Sequence, residues 1–474
     1  MMKSTTALLF FVIIFQTSIQ GVEWDPVVRL TNNPQSQVLG YSYQRSITVD
    51  PSRNVWIFWL DYRSSPNQIW YRKFEWASGR WLPEAQLTAS PVNCFKPSAT
   101  SDRTGNIHLV WHTELYPSKG IWYKKFDAQQ GRWLADTLLE SAVYSIKKYP
   151  MVATKPNSEE IHIVWYGSPD TGGVPQVFHK QFQPDTGWLP AEQITSYPNT
   201  HSAATATVDS LGNLCVVWIG RDFNNSSDQA FCRRRIDGVW SDIELISEFA
   251  GTYQQTSPAV AAGTTNNFHI TWAGTNSSTY YSRIFYRQRT PEGFTPIFTV
   301  SQGLQFEQGS PSISCRQENE CHLVWRGRTA TPPSPYQLIY ASCDSLGYWT
   351  PPELLTALTN GDVDQPAIVC DAGRGLHIVW QDESSNNLDL YYLYGQIPEL
   401  AVGETTCPVP TTVHTLATLL RSYSLFGSGS RPEIYDALGN KLRTNNLPSG
   451  VYLIKQPDSR TGKFQKLIVI SGAR

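Results

Sequence analysis

Apolar residues in this chain come in short runs rich in β-branched and aromatic side chains, separated by clusters of Gly, Asn, Asp and Pro. That pattern of run and breaker belongs to β-strands joined by turns. After residue 21 no stretch sustains a helical period. Seven runs carry tryptophan in one register, at Trp59, Trp111, Trp165, Trp218, Trp272, Trp325 and Trp380, with gaps of 52, 54, 53, 54, 53 and 55 residues. Spacing this regular predicts one structural unit copied seven times.

Each unit repeats four phrases. The first is a short strand that usually opens with proline, as at Pro97, Pro150, Pro258, Pro311 and Pro366. The second is the tryptophan strand, preceded by turns such as Asp102–Asn106 and Asp209–Asn213 that suit a tight hairpin. The third is aromatic and then basic, as in IWYRKF from Ile69, and the fourth pairs a glycine and an aromatic with an LT-like ending, as in GRWLPEAQLT from Gly79. Four antiparallel strands in a unit of about 50 residues predict a propeller blade. The seventh unit stops after its third phrase, at Leu390 to Gly395, and the missing fourth phrase stands at the other end, from Val22 to Thr31. The expected fold is therefore all-β, a seven-bladed β-propeller over residues 22–395 whose N-terminal strand closes the ring and leaves no open edge.

Composition adds boundaries. Residues 1–21 carry Lys3 and then the apolar run Ala7 to Phe15, the pattern of a secretory signal peptide, and no later segment is apolar enough to span a membrane. A net charge of −2 without a lysine-rich run argues against nucleic acid as a partner. Residues 396–428, with CPVP and GSGS, read as a linker, and residues 429–474 as a small C-terminal β-sandwich-like domain.

Cysteine usage points to an oxidising compartment. Five units place histidine three residues before the tryptophan, and four of these have tyrosine at the facing third-phrase position: His108 with Tyr123, His269 with Tyr286, His322 with Tyr340 and His377 with Tyr392. In the fourth unit both positions become cysteine, which predicts a Cys215–Cys232 disulfide. Cys315 and Cys321 flank a hairpin turn and are expected to pair as well. The histidines lie one per blade and off the axis, so a His–Tyr hydrogen bond inside each sheet is expected rather than a metal centre. The Asp-x-x-Gly turns supply one carboxylate each, which suits turn capping more than calcium. Neither a metal nor a cofactor is expected, and no nucleophile-elbow or phosphate-loop motif occurs.

Chemistry is then left to loops. In a propeller the loops between phrases two and three, and those between phrases four and one, emerge on the same face. The first set carries the candidate ligand-binding residues Asp61, Tyr62, Arg63, Glu114, Arg221, Asp222, Arg326, Arg328, Asp382 and Glu383. The second set adds Tyr41, Tyr43, Phe95, Lys96, Lys148, Tyr149, His201, Tyr253, Phe306 and Asp364. Aromatic rings with both signs of charge make a recognition face. Glu114, Asp222 and Asp382 are the carboxylates available for glycoside hydrolysis, which needs two acids at a set separation.

The D-x-x-G-N turn leading into the tryptophan strand and the aromatic-rich blades resemble the sialidase-like propeller repeats of secreted bacterial proteins. That family implies a carboxylate-binding arginine triad, and Arg63, Arg221 and Arg328 are the residues at hand. Two features depart from it: the Asp-Gly turn precedes the tryptophan strand, and there are seven units rather than six. The blades also look like those of propeller lectins, which bind sugars without cleaving them. At the other end, Pro432 to Leu442, Leu447 to Lys455 and Lys463 to Ser471 resemble the closing strands of a type IX secretion sorting domain. This resemblance implies a bacterial protein that meets the secretion machinery and is released or held at the cell surface. The expected function is non-catalytic binding of a glycan or protein by a monomeric surface protein. The alternatives are a sialidase-like glycoside hydrolase and a purely structural surface protein.

Overall fold

The computed structural model describes residues 21–398, apart from 42–44, 143–144, 157, 170–172, 223–226, 249–252, 264, 317–319, 345–346 and 386; beyond 398 it describes only the backbone of four strands between 433 and 469. The predicted signal peptide up to residue 20 and the predicted linker from residue 399 lie outside the described residues, and Gln396, expected in the linker, ends a strand instead. Residues 23–396 form one compact unit and residues from 397 onward belong to another.

The first unit is a seven-bladed all-β propeller without an α-helix among the described residues. Blade 2 shows the plan. Cys94–Ser101, Ile107–Thr113 and Gly120–Asp127 pair antiparallel in sequence order, and Arg132–Trp133 and Thr137–Ser141 share the outer edge. First strands of neighbouring blades lie against one another around the ring, so these strands line the axis. In blade 7 the outer position is taken by Glu23–Trp24 and Val28–Arg29, which pair antiparallel with Asp389–Gln396. The hydroxyl of each LT-like ending shows the equivalence. Thr88 accepts the Ile69 N–H and Thr195 the Val177 N–H at 2.9 Å each, and Thr31 accepts the Leu390 N–H at the same distance.

The core lies between blades. The seven tryptophans of the repeat are each at most 1 % exposed, and those of blades 1 to 6 pack among the apolar residues of an adjacent sheet, as Trp59 does with Ala367 and Val379 of blade 7. Buried indole N–H groups need acceptors. Trp59 donates to Asp61 Oδ2 (3.0 Å), Trp380 to Asp382 Oδ2 (2.9 Å), Trp218 to His201 Nδ1 (2.7 Å), Trp272 to Gln255 Oε1 (2.9 Å) and Trp325 to Gln308 Oε1 (2.8 Å).

The basic residue of the third phrase has a structural task. Lys124 Nζ donates to the Leu87 carbonyl at 3.2 Å, Arg233 Nη1 to Ile194 at 2.8 Å and Arg287 Nη1 to Ile246 at 2.7 Å, each reaching the outer strand of the preceding blade. Arg72 likewise latches onto Leu30 at 2.5 Å. Blades 6 and 7 place Ala341 and Leu393 at this register and make no such latch. A hydrogen bond from a charged donor contributes about 1.5–3 kcal/mol. Arg287→Ala is therefore expected to lower the unfolding midpoint in a denaturant titration, and a variant as stable as the parent would remove the latch.

Within the sheets, His108, His269, His322 and His377 bring Nδ1 to the expected tyrosine hydroxyls at 2.8, 2.7, 2.7 and 2.7 Å. His162 meets His179 Nε2 instead, at 3.0 Å. The turn aspartates are caps: Asp102 Oδ1 accepts the Thr104 and Asn106 N–H groups, and Oδ2 faces His108 Nε2 at 3.0 Å. Cys315 and Cys321 lie directly opposite and form a disulfide.

The expected Cys215–Cys232 disulfide is absent, and both residues are free thiols. Register explains the difference. Cys215 faces Arg234 and Cys232 faces Val217, so the two are diagonal neighbours. Long His and Tyr side chains span that diagonal, whereas two short thiols reach only a hydrogen bond. That hydrogen bond, with burial, raises the Cys232 pKa.

The C-terminal unit holds a four-stranded antiparallel sheet in the order Lys441–Leu442, Glu433–Tyr435, Gly450–Lys455, Phe464–Val469. No helix among the described residues is long and apolar enough to cross a membrane.

Candidate functional site

Each tryptophan from blade 2 to blade 7 stands opposite two residues of the axial strand rather than one. Lys96 and Pro97 oppose Trp111, Tyr149 and Pro150 oppose Trp165, and the pattern continues to Gln365 and Pro366 opposite Trp380. These are β-bulges, and the unpaired rung explains why proline is accepted there. The first bulge residue is left-handed in all six: Lys96 (φ 48°), Tyr149 (52°), Ala203 (51°), Ser257 (48°), Ser310 (51°) and Gln365 (47°). Non-glycine residues in this region, above all before proline, carry backbone strain, and strain of this kind clusters where side chains are aimed for function.

The bulges of blades 2 and 3, together with Tyr41 of blade 1, gather a polar cluster at the axis. Lys96 Nζ sits 4.2 Å above the Tyr41 ring and donates to the Leu39 carbonyl at 3.3 Å. Tyr41 and Tyr149 meet edge to face at 5.1 Å and share a hydroxyl hydrogen bond. Tyr149 also packs on His112 (5.1 Å) and Tyr166 (5.3 Å), and its backbone N–H donates to His112 Nδ1 at 3.4 Å. With Nδ1 accepting, the neutral imidazole carries its proton on Nε2, which faces Glu114 Oε1 at 3.4 Å. Lys148 Nζ holds the same carboxylate oxygen at 2.7 Å, and Phe95 stacks on His112 at 5.3 Å. Deeper in the channel, Arg45 of blade 1 reaches across to the Ala206 carbonyl and Thr207 hydroxyl of blade 4, each at 3.4 Å.

Burial and neighbouring charges set the protonation states. Burial lowers Lys96 to about 8 against the opposing pull of Asp364, and lowers Arg45 to about 10. Burial and the Tyr149 phenol raise Tyr41 to about 12. The hydrogen bond from His112, aided by Lys148, outweighs burial and draws Glu114 down to about 2, while burial lowers His112. The cluster therefore offers two ammonium groups, a neutral imidazole and three phenols around one ionised carboxylate.

The sequence candidates divide. Glu114 belongs to this cluster. Arg326 pairs with Asp364 at 2.9 Å and lies over the Tyr336 ring, which Arg328 also covers at 4.0 Å. Asp61 and Asp382 are buried as the acceptors of Trp59 and Trp380. Arg63 is tied to Asp61 and Glu84 and lies on the Trp70 ring. Arg221 pairs with Asp228 at 3.3 Å, Asp222 lies near Tyr197 and His201, and Tyr62 and Glu383 are exposed. Arg63, Arg221 and Arg328 thus each have separate partners. Tyr166 had no sequence signal beyond its strand, and Tyr336, just before the strand Gln337–Cys343, had none. Tyr41, Lys96, Lys148 and Tyr149 were visible as loop residues that the repeat does not require.

No family model matches the chain, and no curated protein matches it. Among solved structures, a family PL25 ulvan lyase bound to -[GlcA(1-4)Rha3S]- superposes with a TM-score of 0.57 at 8 % identity, over 77 % of this chain and 95 % of that one. The polysaccharide lyase Uly1 gives 0.54 at 9 % identity, over 79 % and 100 %. The microbial sialidase Hz136 gives 0.42 at 11 % identity, over 71 % and 73 %. At these identities the likeness is one of fold.

Proposed function

We propose that the propeller binds an acidic glycan at the axial cluster. The observation that carries this reading is the delivery of Lys96, Lys148, His112, Tyr41, Tyr149 and Tyr166 by three consecutive blades into one contact network, with Lys96 and Tyr149 held in a strained backbone. A partly buried ammonium receives a carboxylate or sulfate, and the aromatic rings present faces to the sugar. The two polysaccharide lyases of similar fold support a sugar ligand by analogy only.

A glycan array that includes uronic-acid and sulfated polysaccharides tests the reading, with retention expected on acidic members. Lys96 is charged below about 8 and neutral above it, so retention is expected to be strong at pH 6 to 7 and to weaken as pH rises through about 8. Absence of binding to every acidic glycan would overturn it.

A second reading, elimination on a bound uronate, draws on the Tyr149–His112 contact beside Lys96, because such a reaction needs a proton acceptor next to a cation that neutralises the sugar carboxylate. Growth of ultraviolet absorbance from an unsaturated product would establish it. Glycoside hydrolysis draws less support, because Glu114 is held ionised to about 2 and Asp382 is committed to Trp380. We also propose export from a bacterial cell and attachment or release at its surface through the secretion machinery. The apolar run Ala7 to Phe15, the Cys315–Cys321 disulfide and the C-terminal strand phrases support this.

A further inference from the structure

A row of aromatic side chains lies on blade 5, on the face that carries the axial cluster. Tyr280 is 88 % exposed and meets Tyr281 edge to face at 5.0 Å, and Tyr281 meets Phe306 at 6.0 Å. Isolated exposed tyrosines need no explanation, but three in contact form a patch. The row joins two loops, and Arg283 fastens them by donating to the carbonyls of Phe306 (2.9 Å) and Gln305 (3.1 Å). Ser282 adds a hydroxyl bond to the Gln308 carbonyl at 2.5 Å. The two loops are therefore tied together before any ligand arrives, which lowers the ordering cost of binding.

The inner end of the row leads toward the axis. Phe306 is followed by Glu307, which lines a recess of about 90 Å³ with Ser257, Ser310, Arg326 and Tyr336. Two of these, Ser257 and Ser310, are left-handed bulge residues like Lys96. Arg326 then pairs with Asp364, whose charge acts on both Tyr41 and Lys96. Aromatic row, polar recess and basic cluster thus follow one another from the rim of blade 5 to the axis.

We propose that the ligand is an extended polysaccharide chain rather than a single terminal sugar, seated along this track with successive units on the tyrosine row, in the recess and at Lys96. This rests on the acidic-glycan reading. An uncharged face of the chain packs on Tyr280 and Tyr281, and its acidic group reaches the axial cluster.

Binding of immobilised alginate, polygalacturonate, chondroitin sulfate and heparin, and of their size-fractionated oligomers, separates this proposal from the reading beneath it. Affinity is expected to rise at least tenfold from disaccharide to long oligomer. The Tyr280→Ala, Tyr281→Ala double variant is expected to lose that gain while keeping the disaccharide affinity and the parent unfolding midpoint. Chain-length-independent binding, or a double variant that keeps the full gain, would overturn the extended track and leave the axial reading standing. No binding to any of the four would overturn both.

Discussion

Replacing Lys96 with methionine is expected to weaken binding of an acidic glycan by between tenfold and a hundredfold while lowering the melting temperature only modestly, through loss of its long bond to the Leu39 carbonyl. The ammonium lies over the Tyr41 ring, and burial has already brought it down to about 8. Its charged form has given up part of its hydration, so an arriving anion meets a donor that water competes for weakly. Removing such a charge-assisted contact costs about 1.5–3 kcal/mol. Methionine keeps the length and apolar contact of the side chain, and the strained φ of 48° is no worse for it than for lysine. Titration calorimetry against a uronic-acid oligomer checks the result. Unchanged affinity would move the anion site away from Lys96, and a large drop in melting temperature would recast the lysine as structural.

Trp272→Ala is expected to destabilise the propeller by about 3–5 kcal/mol, the usual cost of emptying a buried aromatic site. The indole is fully buried between the sheets of blades 4 and 5, amid Val260, Ile270 and Phe285. Its removal leaves a cavity flanked by two sheets that cannot collapse independently, and strands the Gln255 carbonyl oxygen that accepted its N–H at 2.9 Å. Trp165 supplies a comparison, since its indole nitrogen has no hydrogen-bond partner among the described residues. Trp165→Phe is accordingly expected to cost less than Trp272→Phe in a chemical denaturation series.

Blade number and strand order were legible in the sequence because they follow from a period that each blade states again. Pairings inside the sheets followed wherever long side chains were involved, as with His108 and Tyr123. The Cys215–Cys232 disulfide failed for a reason of geometry: co-substitution marks two positions as neighbours but does not distinguish a facing pair from a diagonal one. The axial cluster was only half visible. Lys96, Lys148 and Tyr149 stood out as loop residues that the repeat leaves free, but the left-handed bulges that aim them have no signature beyond a recurrent proline. Asp61 and Asp382 carried the opposite lesson. Polar residues just after a tryptophan look available for ligand, and the chain uses them to satisfy the indole it has buried.

The pairing of Glu23–Trp24 and Val28–Arg29 with the last strand of the propeller has a kinetic corollary. Arg29 and Asp389 meet at 2.5 Å across a separation of 360 residues. Six sheets are made of neighbouring sequence and can assemble as they emerge, but the remaining one must wait for both extremities of the domain. Loop closure over such a span is slow. Until it occurs, the partner surfaces of the first and last blades stand open to solvent, and that interval is when the nascent protein is most exposed to proteases and to association with its own copies.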